Sequence, residues 1–463
     1  MTPLFFTARV LPLMAALVLA GCATRAPSID PSSLPVTPTL FRESQAVAAA
    51  PPAPYQAQWW KVFADPVLDQ LVAQASRNNN SLSVAAGRLA QARAIARSAD
   101  ADRSPQLGLG AGAVRQTDAT AANRPKSVVS IGADFSYELD LFGKLAGASD
   151  AASLDVQSRE ALLRSTQLLV QADVAQTYLN LRALDSERAL VRDTLQAYRD
   201  TLRLTEVRFR EGDVAELDVA RVRTEVAATE SEALALDRRR AELEHALAVL
   251  VGAVASSFQL APADWATALP VIPAGVPSTV LVRRPDVSAA QSSMQAAQAR
   301  VGVAKAAWFP VFSLTANGGY AAPEIGDLFR MSTRAWGVGA LLSLPIFDGG
   351  RREAGVQNAN AEFDIALANY REQILVAFRD VEDQLSALRL LAEQSEAQSR
   401  SVASSSRATV LSDSRYRNGL VSQLEVLDAQ RSELRNRRQA LQVRAAQYLA
   451  TVGLIRALGG GWA

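Results

Sequence analysis

One stretch of this chain occurs twice. Arg208-Phe209-Arg210-Glu211-Gly212-Asp213-Val214-Ala215-Glu216-Leu217-Asp218 returns, at a constant offset of 207 residues, as Arg415-Tyr416-Arg417-Asn418-Gly419-Leu420-Val421-Ser422-Gln423-Leu424-Glu425. The second copy runs on to Asp428. Each copy closes a helical pattern with a basic-aromatic-basic triplet. Each then places a glycine where the left-handed turn after a helix C-terminus needs one, and restarts a helix. The spacings Asp213 to Glu216 and Ser422 to Glu425 predict capping boxes, in which side chains satisfy the first backbone amides of the new helix. Each copy therefore reads as the tip of a long helical hairpin.

The same offset joins Asp173 to Asp380, Leu181 to Leu388 and Gly252 to Gly459. Nearer the start it becomes 205, from Pro105 to Pro310 and from Phe142 to Phe347. The change falls in the turn where Gly143-Lys144 faces Asp348-Gly349-Gly350-Arg351. Residues 77–252 and 282–459 are thus two copies of one unit. A period this long lies far outside the roughly 20–50 residues of a solenoid, so the chain is internally duplicated rather than an array.

Composition narrows the chemistry. In 463 residues the net charge is +1, which implies no broad pull toward nucleic acid. The single cysteine, Cys22, excludes a disulfide framework and thiolate clusters. The single histidine, His245, excludes multi-histidine metal sites and sits in a charged helical stretch, where it reads as a helix-surface or packing residue. No nucleophile elbow or phosphate-cradling glycine loop is found. No catalytic residue, metal site or cofactor is expected.

In chain order, residues 1–21 read as a secretory signal, with Arg9 before an apolar run too short to span a bilayer comfortably. Leu19-Ala20-Gly21-Cys22 resembles the bacterial lipobox, which implies a lipidated Cys22 and an anchor in outer-membrane lipid. Residues 22–58, rich in proline and small residues, read as an extended tether. A first repeat follows over 59–252, a proline-broken linker over 253–285, a second repeat over 286–459 and a tail at 460–463. Asp65-Pro66 predicts a capped helix start, and Asn78-Asn79-Asn80-Ser81 a helix break.

Period-two alternation then marks strands. It predicts a β-hairpin at about 106–142, clearest where Val129, Ile131, Ala133, Phe135, Tyr137, Leu139 and Leu141 alternate with polar residues or glycine. A second is predicted at about 311–347, with Trp336, Val338, Ala340, Leu342, Leu344 and Ile346 on one face. Such segments fit a transmembrane barrel, and also an ordinary sheet packed on helices. Two hairpins give four strands, whereas bacterial barrels need about eight or more. A membrane sheet cannot leave an edge open. The strand count therefore requires several chains, without choosing between dimer and trimer.

After each hairpin a proline-free helix is expected, over 145–209 and 352–417, with return helices over 215–250 and 423–458. Val170, Val174, Thr177, Leu181, Leu184, Val191, Leu195, Tyr198, Leu202, Thr205 and Phe209 recur at intervals of mostly three and four, a coiled-coil seam. Roughly 65 residues at about 1.5 Å each reach about 100 Å. Most arginines and glutamates on these helices read as a solvated face.

Taken together the motifs resemble the TolC-like outer-membrane efflux proteins, in the lipoprotein branch that serves resistance–nodulation–division pumps. The carriers are Gln58-Trp59-Trp60 with Phe63-Ala64-Asp65-Pro66, Leu269-Pro270 through Gly275-Val276-Pro277-Ser278, and Arg283-Arg284-Pro285-Asp286. Phe309-Pro310 and Pro345-Ile346-Phe347-Asp348-Gly349-Gly350 complete the set. The resemblance implies a mixed α/β membrane protein, a homotrimer closing a 12-stranded barrel continued by a 12-helix periplasmic tunnel. It implies two protein partners: a periplasmic adaptor at the helix tips and an inner-membrane pump. By position, the family's acidic gate falls on Asp218, Glu425 and Asp428, and adaptor contact on Arg208, Arg210, Gly212, Arg415, Arg417 and Gly419. Such an adaptor is itself the alternative reading of the chain, since adaptor lipoproteins also carry long helical hairpins. Two hairpins alternating with two strand pairs argue against it.

Overall fold

A computed structural model of the chain describes residues 32, 34–43, 58–117, 125–263, 265, 267, 269–272 and 277–460. Cys22, the signal 1–21, most of the tether 22–58 and tail residues 461–463 lie outside the described residues.

The duplication is visible in element lengths. Helix α1 (Pro66–Asn78) is followed by α2 (Asn80–Ala101), strands β1 (Gln106–Thr117) and β2 (Pro125–Leu139), and helices α3 (Lys144–Arg210) and α4 (Glu216–Leu250). After the short α5 (Pro277–Arg283) come α6 (Pro285–Ala306), β3 (Val311–Ala322), β4 (Arg334–Ser343), α7 (Arg351–Arg417) and α8 (Gln423–Ala457). Helices α3 and α7 each have 67 residues, α4 and α8 each 35, and α2 and α6 each 22.

The described chain divides into two compact units. The first, Gly87–Ala161 with Ala289–Glu372, holds the sheet. Its four strands form an antiparallel meander in the order β1-β2-β3-β4. Register places Leu107, Phe135, Ala316 and Val338 in one cross-sheet row and Gly108, Asp134, Asn317 and Gly337 in the next. Opposed residues share a face, so the sheet has an apolar side and a side of polar residues and glycines. A glycine is needed at Gly319, where an added Cβ would lie 2.2 Å from the Ile131 carbonyl oxygen. In this unit helices α6 and α7 form a cluster of Met294, Ala297, Val301, Ala359 and Phe363, and α2 and α3 are joined by an Arg93–Glu160 pair at 2.6 Å.

Strand β4 is shorter than its pattern. It ends at Ser343, leaving Leu344 and Ile346 outside the strand. Pro345 supplies no N–H to continue a ladder.

The second unit comprises Val36–Ala86, Leu162–Ser288 and Gln373–Ala463. Its core gathers Phe41, Trp59, Phe63, Leu68 and Val72 around Tyr178, Leu179, Tyr448 and Leu454. Burying each large apolar side chain contributes about 1.5–3 kcal/mol. Asp65 caps α1, accepting from the amides of Val67 at 2.9 Å and Leu68 at 3.2 Å and from the Tyr178 hydroxyl at 2.7 Å. Burial pushes the Tyr178 phenol up to about 12. The seam residues Val174, Leu181, Leu184, Val191, Leu195, Tyr198 and Thr205 are buried, and Phe209 at its end is exposed.

The charged face is less solvated than expected. Arg182, Asp185, Glu187 and Arg240 are buried. Asp185 receives Arg182 at 3.3 Å, Arg188 at 3.2 Å and Arg240 at 2.8 Å, and Arg182 also donates to the Ala261 carbonyl at 2.8 Å. These charges hold the chain after α4 against the helices, because a buried ion persists only where it is paired and hydrogen-bonded. His245 is exposed on α4.

Candidate functional site

The two hairpin tips form the candidate site, both within the second unit. At the first, the Gly212 amide donates to the Phe209 carbonyl at 3.0 Å and the Asp213 amide to the Arg208 carbonyl at 2.9 Å. At the second, Gly419 bonds to Tyr416 and Leu420 to Arg415, each at 2.9 Å. This is the Schellman closure of a helix, and it requires the left-handed backbone that Gly212 (φ +84°) and Gly419 (φ +74°) adopt.

The expected capping boxes do not form. Helix α4 starts with Ala215 at its N-cap and α8 with Ser422, and neither makes a side-chain capping bond. Glu425 is engaged elsewhere: the Arg415 guanidinium lies 3.2 Å from its carboxylate. A cross-tip cation outcompetes neutral backbone amides for that carboxylate, since charge-assisted hydrogen bonds are the stronger kind.

The other acidic positions also have basic neighbours. Asp218, in the first turn of α4, lies 3.7 Å from Arg221. Asp428 lies 3.1 Å from Arg431, which also pairs with Glu225 on α4. That hydrogen bond to Glu225 pushes Arg431 above the ordinary guanidinium value. The three carboxylates are thus each partly neutralised within their own chain, which weakens the mutual repulsion expected of a bare acidic ring.

Among the contact candidates, Arg417 pairs with Asp413 at 2.8 Å. Arg210 is exposed and makes a long bond to the Glu206 carbonyl at 3.4 Å. Arg208 is different. Its guanidinium donates to the Tyr416 hydroxyl at 2.7 Å and lies 5.6 Å from the centre of that ring.

Beside it, the Gln423 amide donates to the Thr205 hydroxyl at 2.8 Å, and both residues are buried. Below them Tyr198, Val222 and Leu427 form an apolar cluster. Burial pushes the Tyr198 phenol up to about 12. Together these groups clasp the end of the first hairpin to the second. Hydrogen bonds and a cation–π contact of this kind contribute roughly 0.5–1.5 kcal/mol each. Tyr416, Gln423, Thr205, Arg431 and Glu225 were not singled out as site residues in the sequence. Tyr416 and Gln423 lie in the duplicated tip stretch and Thr205 is a polar member of an apolar seam, whereas Arg431 and Glu225 carried no signal.

Comparison with known proteins bears on this arrangement. The family model described as outer membrane efflux protein matches residues 71–253 and again 276–460, once for each half. The cation efflux system protein CusC of Escherichia coli O6:H1 is 32% identical over 461 residues, covering 98% of this chain and 99% of its own. The pyoverdine export outer membrane protein OpmQ of Pseudomonas aeruginosa is 36% identical over 416 residues, covering 88% and 87%. Among solved structures, the outer-membrane channel OprN superposes with a TM-score of 0.87 at 30% identity, covering 95% of this chain and 99% of that one. Two clasped hairpins, a four-stranded sheet and a family match over both halves agree: the chain belongs to the outer membrane efflux protein family.

Proposed function

We propose that the chain is the outer-membrane exit duct of a tripartite efflux system, working as a homotrimer with a periplasmic adaptor and an inner-membrane pump of the resistance–nodulation–division type. The observation that carries this reading is the sheet. Among the described residues β1 pairs only with β2 and β4 only with β3, and a sheet with open edges cannot sit in lipid. Three chains supply twelve strands and the long helices of a periplasmic tunnel. The duct is passive and performs no catalysis, since the pump provides the energy. Cys22, lipidated, holds it at the outer membrane.

CusC is named for cations and OpmQ for pyoverdine, chemically unlike cargoes. A wide duct that reads no cargo suits both, so choice of substrate belongs to the pump. Asp218, Glu425 and Asp428 act as the periplasmic gate. Arg208, Arg210, Gly212, Arg415, Arg417 and Gly419 present the tips to the adaptor. In the host bacterium, deletion of the gene raises accumulation of a fluorescent pump substrate, and the intact chain restores export. Unchanged accumulation on deletion of this and any redundant duct contradicts the proposal.

A further inference from the structure

The polar face of the sheet is rich in glycine, and its few polar side chains are laid out in a pattern. On the edge strands this face carries Gly108, Gly110 and Gly112 of β1 and Gly337 and Gly339 of β4. Polar side chains of the two inner strands lie over these glycines. A Cβ on Gly108 would stand 2.6 Å from the Asp134 carboxylate, and one on Gly337 2.8 Å from the Asn317 amide oxygen. Thr315 leans the same way, its hydroxyl 3.2 Å from where a Cβ on Gly339 would be. The side chains missing from the edge strands thus let Asp134 and Asn317 lie flat along the sheet instead of standing out from it.

The same face is concave. A depression of about 450 Å³ is lined there by Ser130, Gly132, Asp134, Asn317, Gly319 and Ala321. The opposite face carries Leu109, Phe135, Ala316 and Val338, with Leu109 81% and Val338 76% exposed. In a sheet that crosses a membrane the apolar face takes the lipid, and the concave polar face takes the water.

The charges on the water side are unequal. Glu138 pairs with Lys144 at 3.1 Å, and Asp140, just past the strand, accepts from the Ala146 amide at 2.6 Å. Asp134 is exposed and has no ion-pair partner among the described residues. Lys126 shares its face but lies roughly 27 Å away along the strand, at about 3.4 Å per residue. That is well beyond a Debye length of about 10 Å, so its charge does not cancel that of Asp134.

Resting on the homotrimeric duct proposed above, we infer that Asp134 is a charge filter within the sheet, separate from the tip carboxylates. Asp218, Glu425 and Asp428 belong to the other unit of the chain. Threefold symmetry brings one Asp134 from each copy to a single level of the lumen. Three carboxylates without cations of their own attract cations and repel anions in the water beside them. Asn317, opposite Asp134 in the same cross-sheet row, adds hydrogen-bonding capacity without charge. Such a ring weights passage by the sign of charge and leaves recognition of the molecule to the pump.

Ion selectivity of the full, lipidated chain in a planar bilayer tests the filter. Arg208→Ala serves as the background, so that the clasped tips do not govern the current. Under a potassium chloride gradient Asp134→Asn keeps the shape and loses the charge. It is expected to lower the cation-to-anion permeability ratio about two-fold at ~0.1 M salt. Asp134→Lys lowers the ratio further, and both effects fade in molar salt as screening grows. Asn317→Asp adds a carboxylate at the same level and is expected to raise the ratio. Conducting channels whose ratio stays unchanged in these variants, or moves the other way, overturn the filter and leave the duct standing. A silent bilayer overturns the duct, and the filter with it.

Discussion

The Arg208 guanidinium, at the end of the first long helix, donates to the Tyr416 hydroxyl at the end of the second, 2.7 Å away. Residues so far apart in sequence are joined where the two hairpin tips meet. Arg208→Ala removes both the hydrogen bond and the cation over the ring, whereas Tyr416→Phe keeps the ring. Cells carrying Arg208→Ala are expected to take up a large hydrophilic dye that an intact outer membrane excludes. Tyr416→Phe should leak less, and equal leakage from both would remove the ring contact from the account.

Asp218 and Asp428 each sit beside an arginine, Arg221 and Arg431. Replacing both carboxylates by alanine leaves those cations unbalanced at the tip. In a planar bilayer with a salt gradient, the double variant is expected to shift its reversal potential toward anion preference and to lose any inhibition by divalent cations. An unchanged reversal potential and cation response would remove these residues from the gate.

Asn79 joins three helices. Its Oδ1 accepts from the amides of Ser81 at 2.9 Å and Leu82 at 3.3 Å, and its Nδ2 donates to the Leu250 carbonyl at 2.8 Å. At the corresponding place in the second half, Arg284 reaches the Ala457 carbonyl at 3.4 Å. Asn79→Ala deletes a cap and orphans a carbonyl, at a cost of about 1–3 kcal/mol. Thermal unfolding in detergent reads this as a lowered midpoint, and an unchanged midpoint contradicts it.

Asp237 carries an acid-side dependence. Its partial burial favours the neutral carboxyl, but hydrogen bonds and charge from Arg188 and Arg192 outweigh that and hold it below the usual carboxylate range. A carboxylate held low contributes stability above its unfolded value of roughly 4, and this is lost as pH falls through the folded value. Asp237→Asn is therefore expected to lower the unfolding midpoint at pH 7 and to lower it progressively less as the pH is taken below about 4. A loss that stays the same down to the acid limit of folding would contradict the assignment.

The architecture was legible because duplication wrote each element twice: α3 and α7 end at Arg210 and Arg417, 207 residues apart. Gly212 and Gly419 announced the tips because few other residues adopt their backbone. What escaped was non-local. The spacing of Ser422 and Glu425 matches a capping box, yet Glu425 is held by Arg415 from the preceding helix. Arg182, Asp185 and Arg240 look like surface charge to any periodicity argument, and only the fold shows them buried together. Arg208 and Tyr416 stand in the two copies of the duplicated tip, but no spacing tells that the copies touch through these side chains.

The central claim is that several copies of this chain close one water-filled passage across a membrane. Conductance of purified, lipidated protein carrying Arg208→Ala, reconstituted in a planar bilayer, tests it most directly. The account predicts discrete, ohmic steps larger than those of the unaltered protein. A bilayer that stays electrically silent with that protein inserted would contradict it.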